Sequence, residues 1–221
     1  MNYFIKQYRR RESGVPDAYK GLLLNELQML NEEQRGLKED FRQMWRFDLV
    51  EEADELYAKE VPNREEAFKE IKRQYRGPHP WSVSVIGTVG NGKTTLATAM
   101  VNLFNCQFEY FDEFAYYTTQ TSLMNEYKEN FDKKVLDKYI KCELLVIDEL
   151  NPKDSDWTEF ARSTVQNILN ERYSNKKRTV IIGNLSPEEF KQMFEPHIIS
   201  RLREGLTRVM TGADLRRSYR R

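Results

Sequence analysis

No apolar run in this chain approaches the ~18 residues that a membrane-spanning helix needs, so a transmembrane segment is excluded. Residues 1–14 are basic but lack the apolar stretch of about 7–15 residues that marks a secretory signal, which predicts a cytoplasmic protein. Cysteine is scarce. Cys106 and Cys142 are the only two and form no C-x-x-C pair, which speaks against a zinc site; both are expected as reduced, buried thiols. Net charge is also missing, since 35 Lys and Arg balance 35 Asp and Glu. A neutral total argues against strong, indiscriminate DNA binding. The distribution is uneven, however: −1 over residues 1–80, −4 over 81–200 and +5 over 201–221, where seven arginines face only Glu204 and Asp214. A basic tail of that kind suits the phosphates of a nucleotide or nucleic acid. Internal repeats and low-complexity segments are absent as well.

Helical periodicity is present over residues 18–60. Leu23, Leu27 and Leu30, then Leu37, Phe41 and Met44, recur at i, i+4 and i+7. Pro62 interrupts the pattern, a short helix through Ala67 and Ile71 follows, and Gly77-Pro78-His79-Pro80 supplies domain-boundary punctuation. The sequence therefore predicts a small all-α domain over residues 1–77 and a second domain over 78–221. In the second, short apolar runs at 83–86, 107–111, 144–148, 179–183 and 206–211 alternate with helical stretches. That alternation predicts βαβ units and a parallel five-stranded sheet flanked by helices, an α/β fold. Ala161, Val165, Ile168, Leu169 and Arg172 share one side of a helix over 157–173. Ser186-Pro187-Glu188-Glu189 carries the N-cap serine, first-turn proline and N3 glutamate that open another.

The most specific motif is Gly87-Thr88-Val89-Gly90-Asn91-Gly92-Lys93-Thr94, a complete G-x-x-x-x-G-K-[ST] between an expected strand and a helix beginning at Thr95. Its glycines let successive N–H groups turn toward phosphates, and the following helix directs its positive end to the same place. These residues, with Thr95, are expected to bind ATP, Lys93 reaching the β- and γ-phosphates and the Thr94 hydroxyl holding Mg²⁺. About fifty residues on, Leu144-Leu145-Val146-Ile147-Asp148-Glu149 ends an apolar run in two carboxylates. Asp148 suits the Mg²⁺ shell and Glu149 the general base that polarises the attacking water. Asn184, ending the run Thr179-Val180-Ile181-Ile182-Gly183, is placed to orient that water; the alternative is a turn-forming Asn before the capped helix.

Taken in order, LLVIDEL, ILNERY, TVIIGNLSPEEF and IISRLREG resemble the AAA+ ATPase domain of DnaC/DnaI helicase loaders and, more distantly, the IstB transposition ATPases, over roughly residues 80–221. The resemblance implies an arginine finger in Ile199-Ser200-Arg201-Leu202-Arg203, carried here to Arg201 with Arg203 second. It also implies a nucleotide-contacting arginine in Asp214-Leu215-Arg216-Arg217, assigned to Arg216 with Arg217 second. An arginine that works in a neighbouring subunit implies a homo-oligomer in the ATP-bound state. The family function implies a DnaB-type replicative helicase and single-stranded DNA as partners, with the N-terminal helices holding the helicase. Residues 1–77 match no family N-domain and lack the zinc-binding cysteines of the DnaI type. Phe47, Tyr57, Glu51 and Glu52 are candidates for a partner surface, the alternative being a helical hairpin packed on itself. Tyr116, Tyr117, Lys133 and Lys134 are candidates for DNA contact, the alternative being core aromatics and a solvated basic face.

Three other functions compete. An IstB-like helper of transposition would assemble on duplex DNA, but Glu51, Glu52, Asp54 and Glu55 would repel phosphates there. A small-molecule kinase would leave Asp148-Glu149, Asn184 and the late arginines unexplained. A non-hydrolysing adaptor fits poorly with a complete set of Glu149, Asn184 and Arg201.

Overall fold

The computed structural model describes residues 13–58, 63–107, 114–130 and 133–215. Its centre is a five-stranded sheet of β1 (Ser82–Gly87), β2 (Ala115–Thr119), β3 (Leu144–Leu150), β4 (Arg178–Gly183) and β5 (Leu206–Met210). The order across the sheet is β2-β3-β4-β1-β5 and every pairing is parallel. Strands β1 and β4 are buried along almost their whole length, because a parallel sheet is covered on both faces. Alternate residues of one strand then serve two different cores. Val146 and Val180 face one cluster, Leu145 and Ile181 the other.

The first face is covered by α4 (Lys93–Gln107) and by three helices from the N-terminal part, α1 (Glu32–Trp45), α2 (Phe47–Ala58) and α3 (Arg64–Tyr75). Leu37, Phe41, Met44 and Trp45 of α1 are fully buried against this face, each side chain contributing about 1.5–3 kcal/mol of transfer free energy. They lie in one cluster with Val83, Val85 and Met100. Among the described residues, those of the helices before residue 77 thus share the sheet's core. Arg178 joins the two parts at the sheet's entry edge. Its buried guanidinium donates to Met44 O at 3.0 Å and Tyr75 O at 3.1 Å, and pairs with Glu143.

The opposite face carries α5 (Gln120–Asn130), α6 (Lys133–Lys141), α7 (Glu159–Ser174), α8 (Pro187–Met193) and α9 (Pro196–Leu202). The five residues expected on one side of α7 are all buried. Arg172 among them donates to Tyr139 O at 2.7 Å and Cys142 O at 2.8 Å, pairing carbonyls left open where α6 ends. The capping box of α8 is formed as expected, with Ser186 and Glu189 bonding each other's backbone N–H.

One expected element differs. The helix expected from residue 18 begins only at Glu32, behind the Asn31 N-cap. Before it, residues 13–31 form a strap with a 3-10 turn at Asp17–Tyr19. Leu24 is buried there while Leu30 is 44% exposed, so the leucine spacing reflects an irregular chain laid along α4. Asn102 of α4 fixes that chain by donating to Tyr19 O at 2.8 Å and Leu22 O at 3.0 Å. Of the strand expected at 107–111, Gln107 ends α4 and residues 108–111 lie outside the described set; the second strand among the described residues is β2. Cys142 is a buried free thiol, its pKa raised by burial; Cys106 lies outside the described side chains. No helix among the described residues is long and apolar enough to cross a membrane.

Candidate nucleotide site

The loop between β1 and α4 sits at the carboxyl ends of the strands. β1 lies between β4 and β5 there, where open α/β sheets form their ligand crevice. Gly87 adopts φ 131°, and a Cβ there would lie 1.9 Å from Met210 O; only glycine lets the loop leave β1 against β5. The β5 end braces the loop from behind. Thr88 N and the Asn91 side-chain amide both donate to Met210 O, at 2.9 and 2.7 Å, and Leu215 N donates to Gly90 O at 2.9 Å.

In front of the loop is a cleft of about 420 Å³, within the range of small-molecule sites. Val89, Gly90, Asn91, Gly92, Lys93, Thr94 and Thr95 line it, together with Asp148, Glu149 and Asn184. Lys93 is nearly buried, its ammonium bonded to Thr88 O and to Asn91 Oδ1 at 3.1 Å. The Thr94 hydroxyl donates to Asp148 Oδ2 at 2.7 Å. Asp148 Oδ1 accepts from Glu149 N at 2.6 Å. Burial pushes the Asp148 carboxyl up, and the bonds from Thr94, Glu149 and Tyr117 oppose that rise. Glu149, near the end of β3, adopts φ 58° at an irregularity in the strand, and its exposed side chain lines the cleft. Its carboxyl is raised by burial and then by the Asp148 charge, the direction that favours proton acceptance near neutral pH.

Among the described residues no three or more His, Cys, Asp or Glu are grouped to hold a metal ion by themselves. Thr94 and Asp148 nevertheless fit Mg²⁺, which binds through one or two protein oxygens with water and substrate phosphates completing its shell.

Tyr117, a candidate for DNA contact in the sequence, is 4% exposed and donates its hydroxyl to Asp148 Oδ2 at 3.0 Å. It belongs to the nucleotide cleft, because alternation along β2 turns residues 115 and 117 inward. Tyr116 is half-buried beside Phe114 and Tyr139. The side chains of Lys133 and Lys134 lie outside the described set, as do Arg216 and Arg217. Phe47 is buried at 4% exposure, stacked on Trp45, so it offers no partner surface. Glu51 and Glu52 are exposed, Glu51 pairing with Arg42; the Tyr57 side chain lies outside the described set.

Arg201 does not line the cleft of its own chain. Its guanidinium bonds Asn170 and lies over the Tyr173 ring at 4.7 Å from the centroid. Its carbonyl accepts from the Trp81 indole at 2.9 Å. Arg203 is exposed.

Sequence reasoning missed part of the cleft lining. Pro16, Tyr19, Leu27, Gln28 and Met29 of the strap and Gln34 of α1 line the cleft. No motif marks them; they arrive because the strap packs along α4.

A family model described as IstB-like ATP binding protein matches residues 79–207. Uncharacterized protein YqaM of Bacillus subtilis (strain 168) is 31% identical over 139 residues, covering 59% of this chain and 42% of that protein. The chain therefore spans less than half the length of the curated relative it matches. Among solved structures, the DnaC helicase loader superposes with a TM-score of 0.62 at 18% identity, covering 89% of this chain and 100% of that one. DnaI superposes at 0.60 and 15% identity, with 90% and 93% covered. AMPPCP-bound DnaA from Aquifex aeolicus superposes at 0.59 and 16% identity, with 89% and 51% covered. At such identities these likenesses establish the fold alone, a parallel five-stranded sheet with flanking helices.

Proposed function

The chain belongs to the IstB-like ATP-binding family, and from that premise we propose that it is an ATPase that loads a DnaB-type replicative helicase onto single-stranded DNA. The observation that carries the reading is the cleft, where Lys93, Thr94, Asp148, Glu149 and Asn184 converge while Arg201 stands elsewhere. Backbone N–H groups of the loop and the Lys93 ammonium hold the phosphates. Thr94 and Asp148 would hold Mg²⁺, which would screen phosphate charge when bound. Glu149 takes the proton of the attacking water, and Asn184 orients that water. Arg201, placed away from its own cleft, serves a neighbouring copy, where a guanidinium neutralises charge on the departing phosphate. Hydrolysis then requires assembly of a homo-oligomer. Arg216 is assigned to the nucleotide in cis on sequence alone.

The test is ATP turnover by wild type and Arg201→Ala, alone and with a DnaB-type helicase and single-stranded DNA. Stimulation by both partners, lost by about 10³-fold or more in the variant while ATP binding survives, is expected. Turnover that ignores helicase and single strands but rises with duplex DNA would support the second reading, a helper of transposition.

A further inference from the structure

The motif accounts for the inner side of the phosphate loop, whereas its outer side is held by residues far away in the chain. Gln34, in the first turn of α1, is 6% exposed and extends its side chain to the loop. Its Nε2 donates to Asn91 O at 3.1 Å, and its Oε1 accepts from Leu30 N at 2.8 Å. Both ends of the amide are thus paired, so its orientation is fixed. Gly92 leaves room for it: φ is 90° there, and a Cβ would lie 2.7 Å from Gln34 Nε2.

In a trans peptide the N–H lies opposite the carbonyl, and the chain has no cis bonds among its described residues. Pulling Asn91 O toward Gln34 therefore turns the Gly92 N–H away from α1. Leu215 N acts in the same way on Gly90 O and so on the Asn91 N–H. Glu33, beside Gln34, accepts from Thr211 N and Gly212 N, both at 3.0 Å. It fixes α1 to the segment that carries Leu215.

We propose that Gln34 is a positioning residue for nucleotide phosphates, aiming the Gly92 N–H, and that through it the state of the loop is transmitted to α1 and the strap. The proposal rests on the reading of the cleft as a nucleotide site. Any shift of the 91–92 peptide on phosphate binding changes the bond to Gln34 Nε2, and with it the Leu30 N–H held at the other end of the same amide. Leu30 adjoins Gln28 and Met29, which line the cleft, so phosphate contact and the strap wall move together.

Gln34→Met keeps length and neutrality but removes both bonds. The experiment measures ADP affinity and backbone hydrogen exchange over residues 28–40 for the full chain as wild type, Gln34→Met and Lys93→Ala. Expected are ADP affinity about tenfold weaker in Gln34→Met, and slower exchange over 28–40 on ADP saturation in wild type but not in that variant. A residue that only supports the fold would leave the ADP response of the exchange intact. ADP affinity and exchange response equal to wild type in Gln34→Met would overturn the proposal. Should Gln34→Met fail to fold, Gln34→Ala is read by the same two measurements. Equal ADP binding by wild type and Lys93→Ala would instead remove the nucleotide reading, so the two failures are distinguishable.

Discussion

Asp148 carries more hydrogen bonds than the motif discloses. Thr94 Oγ1 and the Tyr117 hydroxyl both donate to Oδ2, at 2.7 and 3.0 Å, and Glu149 N donates to Oδ1. Burial alone would push this carboxyl toward its neutral form, and a neutral acid is a poor ligand for a cation. Tyr117→Phe removes one donor without changing shape. The expected loss is about 1 kcal/mol, or roughly fivefold in Mg²⁺-dependent nucleotide affinity. ADP titrations with and without Mg²⁺ check it, since binding without the ion should be unchanged. The residues of the phosphate loop and Asp148-Glu149 were legible in the sequence because each is fixed by local spacing. Tyr117 and Gln34 were not, because nothing local brings them there. Register pairs Thr119 with Asp148, and Gln34 lies 57 positions before the carbonyl it bonds.

Element α1 is tied to β5 along its length by carboxylates on one stripe. Asp40 grips the Arg208 guanidinium with two bonds of 2.7 Å, and Glu33 receives Thr211 and Gly212. Burial raises the Glu33 carboxyl, but those bonds outweigh it, so its folded value lies below the usual 4.5. A depressed carboxyl contributes stability that is fully present above the unfolded value and is lost as pH falls through the folded one. The gap in unfolding free energy between wild type and Glu33→Ala should be constant, about 1–2 kcal/mol, above roughly pH 5.5 and should shrink below about 4.5. Urea unfolding across that range measures it; a gap unchanged at pH 3 would contradict the assignment. At the other end of α1 the cost is larger. Arg178→Met leaves Glu143 with Lys177 alone and orphans Met44 O and Tyr75 O. The expected loss is about 3–5 kcal/mol, read as a lower urea midpoint. At this scale the sequence revealed α1 and α7, whose buried faces repeat at helical spacing. It misled over residues 18–31, where Leu23 and Leu27 are only half-buried, Leu30 is exposed and Leu24, outside the periodic set, is the buried one, in a strap with a turn at Gly21, φ 95°. Leucine spacing alone does not distinguish a helix from an irregular strap.

For the whole molecule, the proposed role of Arg201 in a neighbouring copy predicts complementation between subunits. The guanidinium rests on Asn170 and Tyr173 of α7, outside the cleft that holds Lys93. If each site combines one copy's Lys93 with the next copy's Arg201, two inactive variants should complement each other. Lys93→Ala chains lack a working loop but keep the arginine, and Arg201→Ala chains keep the loop. Contacts of this head-to-tail kind repeat around an assembly, so in an equal mixture about one quarter of interfaces should pair an intact loop with an intact arginine. Each variant alone should be nearly inactive with helicase and single-stranded DNA present, and the mixture should recover up to about a quarter of wild-type turnover, provided subunits exchange freely. Recovery should rise with total protein concentration, because assembly is a mass-action step. A mixture no more active than its components would place the arginine's action within its own chain or remove it from hydrolysis. Assembly would then have to be explained without a shared site.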